Sequence, residues 1–249
     1  MKFADPLALK HRKPSQGVLF AGSQTQGARP SQEDFFSNFN DECIVVADGV
    51  GGLPHGDVAA KLATETAIWG YKHIRERPFY WADKKLFLKR IFRSSNMALW
   101  QKRKEQGFEA GSATTLSVAI IGTHALWVGS VGDSGILMYR DGLIDILTPY
   151  DLDEIGRLTN ALGLERFGLV PHIAVERFIP RDILLLATDG VLNYVSEEQL
   201  RGAFEIAGDT TDSLTTAVVR LLKLAEENGS GDNMTACMIK KIWYSKDNA

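Results

Sequence analysis

Cysteine, long apolar runs and a dominant charge are scarce in this chain, and each shortage closes off a class of protein. Only Cys43 and Cys237 occur among 249 residues, both inside apolar, strand-like runs. They read as buried thiols rather than as a disulfide framework. No apolar run approaches the length of a bilayer span. The start, MKFADPLALKHRKPSQ, has no continuous apolar segment and carries Asp5 and Pro6 early, so it does not read as a secretory signal. The 28 basic and 31 acidic residues leave a net charge of −3, so no strong overall field favours nucleic acid or an anionic membrane. The histidines (His11, His55, His73, His124 and His172) show no paired metal-ligand spacing and read as surface or loop residues. A cytoplasmic protein with no nucleic-acid or membrane partner is the default expectation.

What is present fits a globular protein, with 45% hydrophobic and 24% charged residues. The polar, basic stretch 1–16 reads as a flexible N-terminal arm, and 17–249 as a single domain, because no repeat, low-complexity tract or Pro/Gly linker divides it. GVLFAGSQTQG and ECIVVADG are β-rich and separated by a polar stretch. From Pro54 to Arg77, apolar residues recur at three- and four-residue spacing, as on an amphipathic helix. A second helical pattern runs from Asp83 to about Lys104. Strands return in ATTLSVAIIG, HALWVGSVGD, GILMYRDG and LIDILT, with Asp141-Gly142 supplying the tight turn of a hairpin. After a turn-prone segment from Pro149 to Asn160 come VPHIAVERFI and DILLLATDG. Ser196 caps a short helix, Asp212–Glu227 forms another, and MTACMIKKIWY closes the chain as a strand. Paired helices between groups of hairpin-connected strands indicate α+β rather than a doubly wound parallel sheet.

Five aspartates stand where apolar runs turn: Asp34, Asp48, Asp133, Asp189 and Asp232. An Asp-Gly pair is first of all a turn, and Asp141-Gly142 is read only as that. Asp48 differs, because it ends a wholly apolar strand and is followed by Gly49-Val50-Gly51-Gly52, where the backbone can approach a ligand closely. Asp189-Gly190 repeats the pattern after ILLLAT. Carboxylates gathered at strand ends repel unless cations share them, and an all-oxygen set suits Mg²⁺ or Mn²⁺ rather than zinc. Two such ions about 3.5–4 Å apart activate water for displacement at phosphorus. Arg29, in GARPSQED, is placed in sequence to grip phosphate oxygens.

The blocks GARPSQED, VVADGVGGLPHGDVAA, GSATTL, VGSVGDSG, LLLATDGV and GSGDNMTA, taken in order, resemble the metal-dependent protein serine/threonine phosphatases of type 2C, bacterial type, from about Gly22 to Ile239. The resemblance implies a four-layer α-β-β-α sandwich of two antiparallel sheets flanked by helices. It implies two core Mn²⁺ or Mg²⁺ ions, bridged by Asp48, with the Gly49 carbonyl on one and Asp189 and Asp232 on the other. Asp34 would reach the cluster through water, Asp133 with Asp189 would form a third site, and Arg29 would bind phosphate. The partners implied are a phosphorylated protein substrate and its opposing kinase, with the enzyme a monomer.

Departures from the family pattern are local. Val50 stands where a histidine or methionine is usual, Gly135 replaces an arginine, and Thr148 is followed by Pro149-Tyr150-Asp151 instead of the familiar Thr-x-Asp-His. The chain is also short between that point and Leu162-Gly163, the region of the flap beside the cleft. Rival readings fall to single residues. Gly132-Asp133-Ser134-Gly135 would suit a serine protease, but Ile136 stands where a second glycine is needed. Pro54 blocks a dinucleotide loop, and neither cysteine has the arginine a cysteine phosphatase requires. The alternative that stays open is a catalytically silent phosphatase-like domain that binds a phosphoprotein or regulatory partner.

Overall fold

The computed structural model describes residues 17–77, 83–108 and 110–243. The expected N-terminal arm lies outside the described residues. Among these described residues, ten strands and five helices follow in chain order: β1 (Val18–Thr25), β2 (Asp34–Phe39), β3 (Cys43–Asp48), α1 (Gly56–Ile74), α2 (Lys84–Lys102), β4 (Leu116–Ile121), β5 (Ala125–Val131), β6 (Gly135–Arg140), β7 (Leu143–Ile146), β8 (His172–Arg177), β9 (Ile183–Ala187), α3 (Asp189–Leu192), α4 (Glu197–Ile206), α5 (Thr211–Glu227) and β10 (Met234–Lys241). They build two five-stranded sheets, ordered β1-β10-β9-β6-β7 and β2-β3-β4-β5-β8, in which every neighbour pair is antiparallel.

Strand alternation sorts the apolar side chains into three cores. Ile44 and Val46 of β3, Leu184 and Leu186 of β9, and Cys237 and Ile239 of β10 meet between the sheets. The intervening residues Cys43, Val45 and Ala47 pack outward on α1 and α2. Leu185, Ala187, Ala236 and Met238 pack outward on α4 and α5. Four layers result, as the sequence led us to expect. Both cysteines are buried free thiols, and burial alone is enough to push Cys237 far from ionisation.

Local chemistry sets the helix boundaries. Ser196 and Gln199 form a reciprocal capping box on α4, and Thr210 with Ser213 does the same on α5. The Asp141-Gly142 hairpin has both residues at positive φ, 51° and 85°, as a tight turn between twisted strands requires. Two elements depart from the sequence reading. The polar stretch after β1 contains β2, which the sequence reading left unassigned. DFFSNF lacks the β-branched residues that mark a strand, yet its pairing with β3 fixes it. The turn after β9 tightens into α3, a single turn of four residues too short to show periodicity.

Candidate active site

One end of the sandwich collects the aspartates. In β2 and β3, Asp34 and Asp48 are direct cross-strand partners, so both side chains project between the sheets. From the opposite sheet, Asp189 follows β9 at the start of α3, and Asp232 lies just before β10. Asp133 sits in the crossing from β5 of one sheet to β6 of the other. A cleft of about 200 Å³ opens there, lined by Asp48, Gly49, Asp133, Asp189 and Asp232, with Arg29 and Glu33 at its edge. Asp34 lies beneath the cleft floor and is buried.

The geometry rests on neighbours that the sequence did not single out. The Thr188 hydroxyl donates to Asp34 Oδ2 at 2.9 Å, while Asp34 Oδ1 is buried with no hydrogen-bond partner. Asp48 N–H donates to the Thr115 hydroxyl at 3.0 Å, and the Thr114 hydroxyl donates to the Asp48 carbonyl at 2.8 Å. Asn233 binds the loop before β2 from both ends of its amide: it donates to the carbonyls of Gln26 and Ser31 and accepts from Glu33 N–H. Asp151 anchors the segment after β7 by accepting from Gly132 N–H at 2.8 Å, beside Asp133, and by a 2.8 Å contact to His172 Nε2. Thr114 and Thr115 stand in the GSATTL block, Thr188 in LLLATDGV and Asn233 in GSGDNMTA, yet the roles of these residues come from partners more than sixty residues away in the chain.

Gly49 is required for space. A Cβ there would stand 2.6 Å from the Gly56 backbone, because the first turn of α1 is packed directly on the loop after Asp48. Gly190 is equally constrained, since a Cβ would meet the Asn233 carbonyl at 2.0 Å.

Electrostatics in the cleft are unfavourable to charge. Burial raises the Asp34 pKa to about 7, the Thr235 and Thr188 hydroxyls and the neighbouring Asp48 opposing it and the Asp189 charge adding to it. Asp48 is pushed well above the carboxylate range by burial first, then by the charges of Asp34 and Asp189. Burial and the Asp189 charge raise Asp133 to about 6. Asp189 is also raised, chiefly by burial. Arg29, whose side chain is 52% exposed, donates to Asp232 Oδ2 at 2.7 Å. Among the described residues, no three His, Cys, Asp or Glu side chains form a ready-made cage for an ion. Asp48 instead lies within hydrogen-bonding reach of Asp189, and Asp232 is held by Arg29. The donor set nevertheless fits hard cations: it is all oxygen, its charges repel one another, and the buried Asp34 Oδ1 makes no well-formed hydrogen bond, with only the Thr235 hydroxyl and Asp48 near the carboxylate. Binding an ion requires these carboxylates to rotate away from one another and from Arg29.

A model of the family described as protein phosphatase 2C matches residues 23–229. The chain belongs to the protein phosphatase 2C family. This phosphatase is 23% identical over 234 residues to a putative protein phosphatase 2C-type of Streptococcus pyogenes serotype M6, covering 85% of this chain and 92% of that one. Its fold superposes with a TM-score of 0.79 on the serine/threonine phosphatase Stp1 from Staphylococcus aureus, at 21% identity and with 93% and 98% of the two chains covered. The catalytic domain of the serine/threonine protein phosphatase PstP, crystallised in complex with two manganese ions, superposes with a TM-score of 0.75 at 24% identity, covering 91% and 99%. The reaction of the phosphatase is hydrolysis of phosphate from phosphoserine and phosphothreonine in proteins. The reading as a silent binding domain is set aside.

Proposed function

We propose that the phosphatase carries out this hydrolysis with two Mn²⁺ or Mg²⁺ ions held by Asp48, the Gly49 carbonyl, Asp189 and Asp232. Asp34 acts beneath them as outer support, and Asp133 offers a further position beside Asp189. The observation that carries the reading is the convergence, from both sheets, of Asp34 and Asp48 with Asp189 and Asp232 on one cleft. When bound, such ions lower the pKa of water and neutralise charge on the phosphoryl group. The chain's own residues do the rest. Thr188 fixes the Asp34 carboxylate, and Thr114 and Thr115 hold the Asp48 backbone on both sides. Arg29, at the rim, turns its guanidinium from Asp232 to the substrate phosphate, where a planar fork matches two oxygens. Val50 has no proton to give, so the leaving serine or threonine oxygen takes its proton from water or from another group.

The substrate is a protein modified by an opposing kinase, and the compartment we infer is the cytoplasm. Among the described residues no helix is long and apolar enough to cross a membrane.

Hydrolysis of a chromogenic aryl phosphate tests the proposal. Activity is expected with Mn²⁺ and not with chelator. Asp48→Asn is expected to lose more than the roughly 100-fold typical of a missing outer partner. Turnover that survives chelation or Asp48→Asn would overturn the two-ion reading.

A further inference from the structure

The net charge of −3 hides a strong local asymmetry. Between Lys84 and Lys104 there are eight lysines and arginines and no aspartate or glutamate. This stretch is α2 and the turn after it. Its inner face, with Leu88, Ile91, Phe92 and Leu99, is buried against the sheet and α1. Its outer face presents Lys85, Lys89, Arg90 and Arg93, all exposed. Among the described residues none of these four has an ion-pair partner. An isolated helix with such a row of like charges would be destabilised, and here the buried face holds it in place. Apolar residues accompany the cations. Leu86 is 45% exposed on the same helix, and Trp69 is 62% exposed on neighbouring α1.

We infer that the outer face of the α1–α2 layer docks the enzyme on an anionic lipid surface. The two helices form a broad face, each roughly 28 Å long; exposed positions of α1 carry both signs, Asp57 and Glu65 with Lys61 and Lys72, so the net positive charge comes from α2, with exposed Leu86 beside it and Trp69 on α1. That combination suits a headgroup layer, where cations meet lipid phosphates and Trp enters the interface. The orientation is productive: no residue of α1 or α2 lines the catalytic cleft, so a docked enzyme keeps the cleft open to substrates at the surface.

Sedimentation of the full chain with vesicles tests the inference. Binding is expected to vesicles of phosphatidylcholine containing phosphatidylserine, to be absent with phosphatidylcholine alone, and to weaken as salt is raised. Each basic residue near such a surface contributes about fivefold, so a Lys89→Ala/Arg90→Ala/Arg93→Ala variant should bind roughly 100-fold more weakly. Its hydrolysis of a soluble aryl phosphate should be unchanged, which shows that it is folded. A Trp69→Ala variant should weaken vesicle binding without altering the salt dependence. Binding that ignores phosphatidylserine, or that the triple variant retains in full, would overturn the inference. So would capture by an acidic polypeptide with none by the vesicles.

Discussion

Removing one negative charge from the cleft should stabilise the ion-free protein, and Asp34→Asn is the cleanest way to do so. In the fold, Asp34 keeps its proton until about pH 7. In the unfolded chain it loses the proton near 3.8. Between these values the folded state holds more protons than the unfolded state, so stability falls as pH rises, and the full cost is present above about pH 7. The gap corresponds to about 4 kcal/mol. Asparagine cannot ionise, and its side-chain oxygen can still accept from Thr188. Urea unfolding followed by circular dichroism, with chelator present, should therefore show Asp34→Asn more stable than the parent at pH 8. The gain should be about 3–4 kcal/mol and should shrink to about 1–2 kcal/mol at pH 5. Saturating Mn²⁺ should erase the advantage, because the parent then gains binding energy that the variant lacks. An Asn variant that is no more stable at pH 8, or whose advantage is the same at both pH values, would refute the electrostatic account of the cleft.

Other substitutions probe other parts of the site. Arg29→Ala should lower kcat/KM for aryl phosphate by about 10- to 100-fold, mostly through KM, as loss of a charge-assisted grip on phosphate does; an unchanged KM would count against a phosphate-binding arginine. Asp151→Ala removes the acceptor for Gly132 N–H and the partner of His172. It should cost about 1–3 kcal/mol in urea unfolding, and no loss would mean that the segment after β7 is held elsewhere. Gly190→Ala forces a Cβ onto the Asn233 carbonyl and should destabilise by about 1–3 kcal/mol or more. Its purified form is expected to melt earlier than the parent.

Asp48, Asp133, Asp189 and Asp232 were legible in the sequence because each adjoins a run that reads as a strand and has a glycine neighbour, whereas Asp34 was legible only through the GARPSQED block. The layers were legible because apolar periodicity switches between two and three-to-four residues at the right places. The supporting atoms were not. Thr188, Thr115 and Asn233 stand inside the quoted blocks, but what each one holds depends on what the two sheets bring opposite it. The contact between Arg29 and Asp232, residues 203 positions apart in the chain, has no local signature either. β2 was hidden for a related reason. Its strand character comes from its pairing with β3 rather than from its own composition. Asp141, chemically the same as the five cleft aspartates, sits in the hairpin turn that its glycine neighbour suggested.

The turn that joins β2 to β3 touches none of the cleft residues. Asn40 and Asp41 both adopt positive φ, Glu42 N–H closes the turn on the Phe39 carbonyl, and the Asn38 amide clasps Asp41 from both sides. Those few bonds set the phase of the whole ladder, and at its far end they decide that Asp34 lies opposite Asp48. Side chains alternate between faces with every residue, so a slip of one position would turn Asp34 toward the α1 side of its sheet. Such a chain would keep its spectroscopic secondary structure and lose the pairing of Asp34 with Asp48 beside the cleft. A surface turn at the opposite end of the strands thus acts as a typesetter for the chemistry, and single-residue insertions there should be among the most damaging changes the molecule can suffer at its surface.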